Sequence, residues 1–471
     1  MSSKRTWLII GGVLLVCLCL ALIVAAGALA ITAWFLTTPA SPTTAIGTAT
    51  GVPATPATLQ TQPATPGIQP TGQALLSPEI RAQMDEIEEQ VISLRGLLPT
   101  GPVERTLLTP EELHQHVLDD FLEDYSEQEA TDDAHVLALF GLLDPDFDLW
   151  NFYLELYTEQ IAGYYDDETQ QMYVVQGEGF EGPERLTYAH EYVHALQDQN
   201  YDLEEGLDYN DEACDSDSER CAAIQSLIEG DASLVEEQWL RTFATQEDIQ
   251  QITEFYGSLQ SPVFNSAPAF LQQSFVFPYT HGLIFVSHFY RDGNWAAVDA
   301  IYADPPLSTE QILHPEQYPD DPPVRLQAPD LSTTLGGDWR QIDTDVVGEL
   351  YLQLVLDEYL AEPEVSTAAE GWGGDYYVAL FSDQAGEGAL VSVISWDSLA
   401  DAEEFFLTFR EYGDSRFGGA VSFTPLAATW AGEGQYALSE RHSDQTLWIL
   451  APDEDIAQRL RQAVVFPAEI Q

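Results

Sequence analysis

An apolar run from Trp7 to about Leu36, broken only by small residues and Thr32 and preceded by Lys4 and Arg5, constrains everything that follows it in this chain. About 20 apolar residues suffice to cross the hydrocarbon core of a bilayer, whereas the apolar part of a secretory signal is about 7–15 residues long. The run therefore reads as a single uncleaved transmembrane helix over residues 7–36. Two cations before it and an acidic chain after it put residues 1–6 in the cytoplasm and the bulk of the protein outside the cell membrane. A lipoprotein reading through Cys17 is disfavoured by Val16, which stands where a small residue is expected. Cleavage within the Ala-rich stretch stays open.

Residues 37–77 are dominated by Pro, Thr, Ala, Gly and Gln, without charge or hydrophobic periodicity. Such a segment cannot bury enough surface to fold, and its prolines make it a semi-extended spacer. Beyond it the chain is strongly acidic: 78 Asp and Glu face 16 Lys and Arg, a formal net charge of -62. Nucleic-acid binding needs clustered cations, so a nucleic-acid partner is excluded as an expectation, and most of the charge reads as a solvated acidic surface. Hydrophobic residues make up 45% of the chain, enough for a sizeable core. Of the four cysteines, Cys17 and Cys19 fall in the apolar run; Cys214 and Cys221 follow it and suit a local disulfide in an oxidising compartment. Their spacing is not that of a zinc-binding cysteine pair.

From Pro78 apolar residues recur at helical spacing: Ile80, Met84, Ile87, Val91 and Leu94, with Ser77-Pro78 as cap and first-turn proline. Residues 108–125 open on another start signal, Thr-Pro-Glu-Glu, and residues 146–161 again show one apolar face. His114, His116 and His135 lie here at no ligand-like spacing and read as surface or packing residues. Two strand-like pieces in AGYYDDETQQMYVV flank an Asp-Asp-Glu-Thr turn, a β-hairpin placed just before the helical segment RLTYAHEYVHALQDQNY.

That segment carries His190-Glu191-Tyr192-Val193-His194. On a helix, residues i and i+4 project from one face, so His190 and His194 can share a metal ion. Glu191 is offset enough to stay off the metal and close enough to act as general base towards a water acidified by zinc. Leu186, Ala189, Val193 and Leu196 supply an apolar side that would bury the helix. A third ligand from the metzincin pattern fails, because position 200 is Asn200 and Gln197 stands where its glycine belongs. The next helix offers Glu229 among Ile224, Leu227, Ile228 and Ala232, an odd place for a carboxylate without a partner. Glu229 is the expected third ligand, with Glu236 and Asp202 as substitutes; Asp231 points elsewhere and suits a second-shell or turn-stabilising role. Tyr279, His281 and His314 are candidate donors to an oxyanion, Tyr279 foremost, with Tyr279 and His281 read at the start of an apolar helix in which His288 is a core residue.

HEYVHALQDQ followed by SLIEGDASLVEE resembles the gluzincin branch of zinc peptidases. More narrowly, it is similar to uncharacterised bacterial membrane or lipoprotein metallopeptidases with HExxHALQDQ and EGDA elements. The hairpin AGYYDDETQQMYV and the segments FVFPYTHGLIFV and PPLSTEQILHPEQY resemble that group too, so the likeness spans about Leu94 to Tyr318. It implies an α+β fold with a mainly helical, zincin-like catalytic domain, zinc on His190, His194 and Glu229, Glu191 as general base, and endopeptidase action on a peptide or protein substrate. Ser233 departs from the thermolysin-like pattern, which has Asp four residues after the ligand Glu.

The first domain is expected over residues 78–340 and a small α/β unit over 341–471. Residues 343–360 read as an amphipathic helix, and EGWGGD as a Gly-rich boundary. Strands are expected at YYVALF, ALVSVISW and TLWILA, with helices at residues 398–412 and 454–464 on one face of an antiparallel sheet. His442 stands alone there, and the unit reads as accessory. The rival to a zinc peptidase is a catalytically idle, membrane-tethered binding protein; such proteins usually lose the general base or a ligand, and here the set is complete.

Overall fold

The structure is a computed structural model that describes residues 76–122, 125–175, 179–432 and 434–466. The expected transmembrane helix, the cytoplasmic residues before it, Cys17, Cys19 and all but the last two residues of the spacer lie outside the described residues. Among the described residues no helix is long and apolar enough to cross a membrane.

The chain is a mixed α+β protein. Helix α1 (Pro78–Arg95) starts where Ser77 accepts the Ile80 N–H and ends at Gly96, whose left-handed φ of 83° lets its N–H reach Ile92 O. Strand β1 (Glu104–Leu108) leads into α2 (Pro110–His116), opened by a Thr109/Glu112 capping box, and the helix widens into a π turn over Val117–Phe121. Helices α3 (Glu127–Phe140) and α4 (Leu149–Gln160) follow. The expected hairpin is β2 (Gly163–Asp166) and β3 (Gln171–Val175), antiparallel, with Tyr164 opposite Tyr173. β1 adds to β3 in parallel, so the small sheet has the order β1-β3-β2; β1 has no hairpin turn to announce it.

Helix α5 (Gly182–Tyr201) carries the His-Glu-x-x-His residues, and α6 (Ser218–Thr242) carries Glu229. Between them a short helix, Asp211–Ser216, holds Cys214, which is joined to Cys221 of α6 in a disulfide with Cα atoms 5.5 Å apart. Then come α7 (Gln246–Ser258), the long α8 (Ala269–Gly293), α9 (Trp295–Ile301) and α10 (Thr309–Leu313). Tyr279 and His281 lie in the middle of α8, not at its start, because the helix begins at Ala269 and runs through Pro278. α6 and α8 cross almost backbone to backbone: a Cβ on Gly230 would overlap the Gly282 carbonyl, and one on Gly282 would overlap the Ser226 carbonyl.

The C-terminal part is a seven-stranded antiparallel sheet of order β4-β5-β6-β10-β9-β8-β7. Its strands are β4 (Arg340–Asp345), β5 (Trp372–Ser382), β6 (Glu387–Trp396), β7 (Ser422–Thr424), β8 (Ala427–Gly432), β9 (Gln435–His442) and β10 (Gln445–Ala451). Helix α11 (Gly348–Asp357) follows β4, α12 (Leu399–Phe417) follows β6, and α13 (Glu454–Ala463) ends the described chain. The expected helix over 343–360 is thus a strand end and then a helix, because Asp343, Thr344 and Asp345 pair with Ala379, Val378 and Tyr377 of β5. EGWGGD, expected as a boundary, enters β5, and Gly374, at φ 140°, packs against the Val324 carbonyl where a Cβ would overlap it.

The sheet is covered on both faces rather than one. Tyr377, Ala379, Leu390 and Ile394 share a core with Phe405, Phe406, Phe409 and Tyr412 of α12, and that core is continuous with the helical part. Val378, Leu380, Val391 and Val393 face the other way, against Ala457 and Leu460 of α13. Two-sided burial explains why β5, β6 and β10 read as continuous apolar runs. His135 stacks on Phe381 with ring centroids 4.0 Å apart, and His116 lies 5.0 Å from Tyr173, so both are packing residues.

The crossing at Gly230 and Gly282 leaves no room for a methyl group, and forced overpacking typically costs about 1–3 kcal/mol or more. Gly282→Ala is expected to lower the unfolding free energy by about 3 kcal/mol in urea denaturation; an unchanged midpoint would show that the helices can part freely.

Candidate metal centre

Helix α5 is buried along most of its length, with Leu186, Ala189, Val193 and Leu196 at 0% exposure. That packing holds His190 and His194 side by side, ring centroids 4.8 Å apart and planes at 74°. Glu229 arrives from α6. Its Oε2 lies 3.2 Å from His190 Nε2 and 3.5 Å from His194 Nε2. One donor atom from each of His190, His194 and Glu229 lies within 4.8 Å of the others, so these residues form a possible metal-binding triad.

The opposite ring nitrogens are used up. His190 Nδ1 donates to Glu236 Oε2 at 2.9 Å, and His194 Nδ1 donates to Gln197 Oε1 at 2.8 Å. With Nδ1 engaged, each imidazole presents Nε2 to the centre, as expected of a metal-binding histidine fixed by an outer partner. Gln197 is itself held: its Nε2 donates to Ile228 O and to Tyr302 Oη, both at 2.9 Å. Tyr302 donates to Asp231 Oδ2 at 2.9 Å, and Asp231 accepts from Arg95 Nε at 2.8 Å. Arg95 also reaches Asp299 at 2.6 Å and lies 4.5 Å over the Trp295 ring. A continuous buried chain therefore runs from His194 through Gln197, Tyr302 and Asp231 to Arg95.

Among the described residues two buried polar atoms at the centre make no hydrogen bond of ordinary length: Glu191 Oε1, and His194 Nε2, which has Glu229 Oε2 at 3.5 Å. The other Glu191 oxygen accepts the backbone N–H of Tyr165, from β2, at 3.1 Å. Burial pushes the Glu191 carboxyl up to about 7, against the opposing charges of His194 and His190. For Glu229 burial works in the same direction, but the His194 charge and the His190 hydrogen bond outweigh it and hold the carboxyl down at about 2. His190 resists the lowering effect of burial because Glu229 and Glu236 both hydrogen-bond to it, so its pKa lies well above the usual value. Two imidazole nitrogens, one ionised carboxylate and an orphaned buried imidazole nitrogen among them are a donor set that a divalent metal fits.

Tyr279 comes from α8, and its hydroxyl donates to Glu229 Oε1 at 3.2 Å. The Gly230–Gly282 crossing lets this happen, since it sets α8 against the turn of α6 that holds Glu229. His281, two residues on, stacks on Phe277 with centroids 4.7 Å apart. His314 instead pairs with Glu349 at 3.1 Å, His288 is half-buried beside Phe289 and not a core residue, and exposed His442 donates from Nε2 to Glu440 Oε2 at 2.8 Å.

His190, Glu191, His194, Glu229 and Tyr279 thus gather in one place; Asp231, expected directly behind a ligand, instead pairs with Arg95 and reaches His194 only through Tyr302 and Gln197. Of the two substitute ligands, Glu236 backs His190 and Asp202 ends α5 in a left-handed turn. Glu236 stands two helical turns beyond Glu229, and Ser233 lies between them. Sequence reasoning missed Gln197, Tyr302 and Arg95. Only Gln197 left a signal there, as a polar residue one turn beyond His194 on a helix otherwise bound for the core.

A family model described as a domain of unknown function (DUF8575) matches residues 334–461. Those residues make up the seven-stranded sheet with its helices and include none of the metal-centre side chains. No curated protein and no solved structure matches the chain.

Losing an outer partner of a metal-bound histidine typically costs about 10–100-fold in affinity. Gln197→Ala and Glu236→Ala are each expected to weaken the binding of a divalent metal ion by about that factor in competition with a chromophoric chelator, with the fold retained by circular dichroism. Affinity unchanged in both would mean that the histidines need no outer support.

Proposed function

We propose that this chain is a zinc-dependent peptidase of the gluzincin kind, with a zincin-like catalytic domain anchored in the cell membrane by residues 7–36 and acting outside the cell on peptide or protein substrates. One observation carries the reading: His190, His194 and Glu229 converge beside Glu191, whose buried Oε1 has no partner among the described residues. A closed structural zinc site normally has four protein ligands rich in cysteine, whereas three ligands leave a position for water or substrate.

His190, His194 and Glu229 would hold the ion. When bound, zinc supplies Lewis acidity at this point, which acidifies water and polarises a scissile carbonyl. Glu191 takes the proton and passes it on to the leaving amine: the Tyr165 N–H fixes one oxygen, and the other is unengaged among the described residues. The Tyr279 hydroxyl, at the far oxygen of Glu229, is the side-chain donor we assign to charge developing on the substrate oxygen. Glu236 and Gln197 keep the imidazoles in the required tautomer. The apolar run and the cations before it support the anchor and its direction.

The test compares the full chain with Glu191→Gln for metal content and cleavage of casein. Wild type is expected to hold about one zinc and cleave; the variant is expected to keep the zinc and lose about 10²–10⁴-fold in rate. No bound metal, or equal cleavage by both, would overturn the assignment. Tyr279→Phe separates two roles of that hydroxyl. An oxyanion donor should cost about 10²–10³-fold in kcat at unchanged zinc affinity; a residue that only orients Glu229 would lower zinc affinity and leave kcat of the loaded enzyme intact.

A further inference from the structure

A second group of acidic side chains lies away from the metal centre, where α10 meets the C-terminal sheet. Glu310 of α10, Asp321 in the segment after it and Asp397 in the turn between β6 and α12 each offer a carboxylate oxygen, and the three oxygens lie within 4.8 Å of one another. Glu310 is 1% exposed, and its buried Oε1 has no hydrogen-bond partner among the described residues. The carboxylates of Glu349, Asp397, Asp321 and Glu219 all act on buried Glu310. The nearby His314 is committed to Glu349. Among the described residues no arginine or histidine forms an ion pair with Glu310, Asp321 or Asp397, and the only lysine of the chain is Lys4.

The surroundings hold these groups together instead of letting them part. Gln311 Nε2 donates to the backbone carbonyl of Asp321 at 2.9 Å, tying that segment to α10. The Asp397 N–H donates to Gly371 O at 3.0 Å, and Gly373 closes against its side chain, where a Cβ would lie 2.9 Å from Oδ1. An oxygen of Asp321 lies within 4.8 Å of one of Asp397, close enough for two ionised carboxylates to repel unless a proton or a cation stands between them. Asp397 is exposed and Asp321 half-exposed, so water can reach the cluster from one side while Glu310 closes it from the other.

We propose that Glu310, Asp321 and Asp397 form a calcium site that fastens the segment after α10 and the β6–α12 turn to the helical part of the protein. All three donors are hard oxygens with no imidazole or thiolate among them, which disfavours zinc and suits calcium. Their spread is within the span of two calcium–oxygen bonds of about 2.4 Å each, and the open side leaves positions for water in the irregular coordination calcium accepts; magnesium demands a tighter octahedron at about 2.1 Å. The site is independent of the peptidase reading, because it shares no residue with His190, His194 and Glu229.

The full chain, stripped of metal and resupplied with one equivalent of zinc, is titrated with calcium chloride by calorimetry and melted with and without it. Wild type is expected to bind one calcium ion saturably and to gain about 5 °C in Tm at saturating calcium. Asp397→Asn, at an exposed position that does not threaten folding, and Glu310→Gln, which keeps the side-chain shape, should each abolish both effects while zinc content stays constant. Three results would overturn the site: no saturable calcium binding by wild type, the same Tm gain in Asp397→Asn, which would assign the effect to the acidic surface at large, or a gain with magnesium and none with calcium.

Discussion

Asp231 and Arg95 form an ion pair in which both side chains are fully buried, and the centre of the helical part is arranged around it. Removing two charges from water costs several kcal/mol each, recovered only when geometry and further hydrogen bonds are good. Here they are. The guanidinium spends its donors on Asp231, Asp299 and Tyr201 and lies over the Trp295 ring, while the carboxylate also accepts from Tyr302. Tyr302 stacks on Tyr201 with centroids 3.9 Å apart, closing the group. Because Tyr302 in turn positions Gln197, and Gln197 positions His194, the ion pair sets one edge of the metal centre through three hydrogen-bonded contacts. α1 contributes Arg95, so the first described helix reaches the centre without touching a ligand.

Helix crossing sets the other edge. Gly230 and Gly282 allow α6 and α8 to approach until Glu229 and Tyr279 meet. The glycine between Glu229 and Asp231 thus separates two carboxylates of different duty. Glu229 faces the imidazoles and Asp231 the arginine, a division that follows from their different directions around one helix turn. Both would be costly in a core without those partners.

The net charge of -62 shapes the molecule differently on its surface and inside. With so few cations, each arginine is valuable where carboxylates are buried. Arg340 binds Asp132 and Asp383, joining α3 to the sheet, and Arg185 binds Asp248. Buried acids beyond their reach are met by neutral donors: Asp375 accepts the Val347 and Gly348 N–H groups and the Trp372 indole, and Glu219 accepts Thr309. Among the described residues Glu310 Oε1 receives no such donor.

The sequence by itself determined those features that short-range chemistry can write. Capping residues and apolar spacing located α1, α2 and α5; the turn residues between two Tyr-rich pieces located β2 and β3; helical periodicity put His190, Glu191 and His194 on one turn and made Glu229 conspicuous among apolar neighbours. Only the tertiary structure decided what depends on contacts between distant segments. Parallel β1 finds its partner across more than sixty residues; β4 is a strand because β5 pairs with it, although its residues blend into the following helix pattern; the glycines of EGWGGD serve close packing, which reads as a boundary until the Val324 carbonyl is set beside them. The outer partners Gln197, Glu236 and Tyr302, and the meeting of Glu310, Asp321 and Asp397, belong to the same class. A side chain's identity states what it can donate or accept, and only the folded backbone states which atom stands opposite.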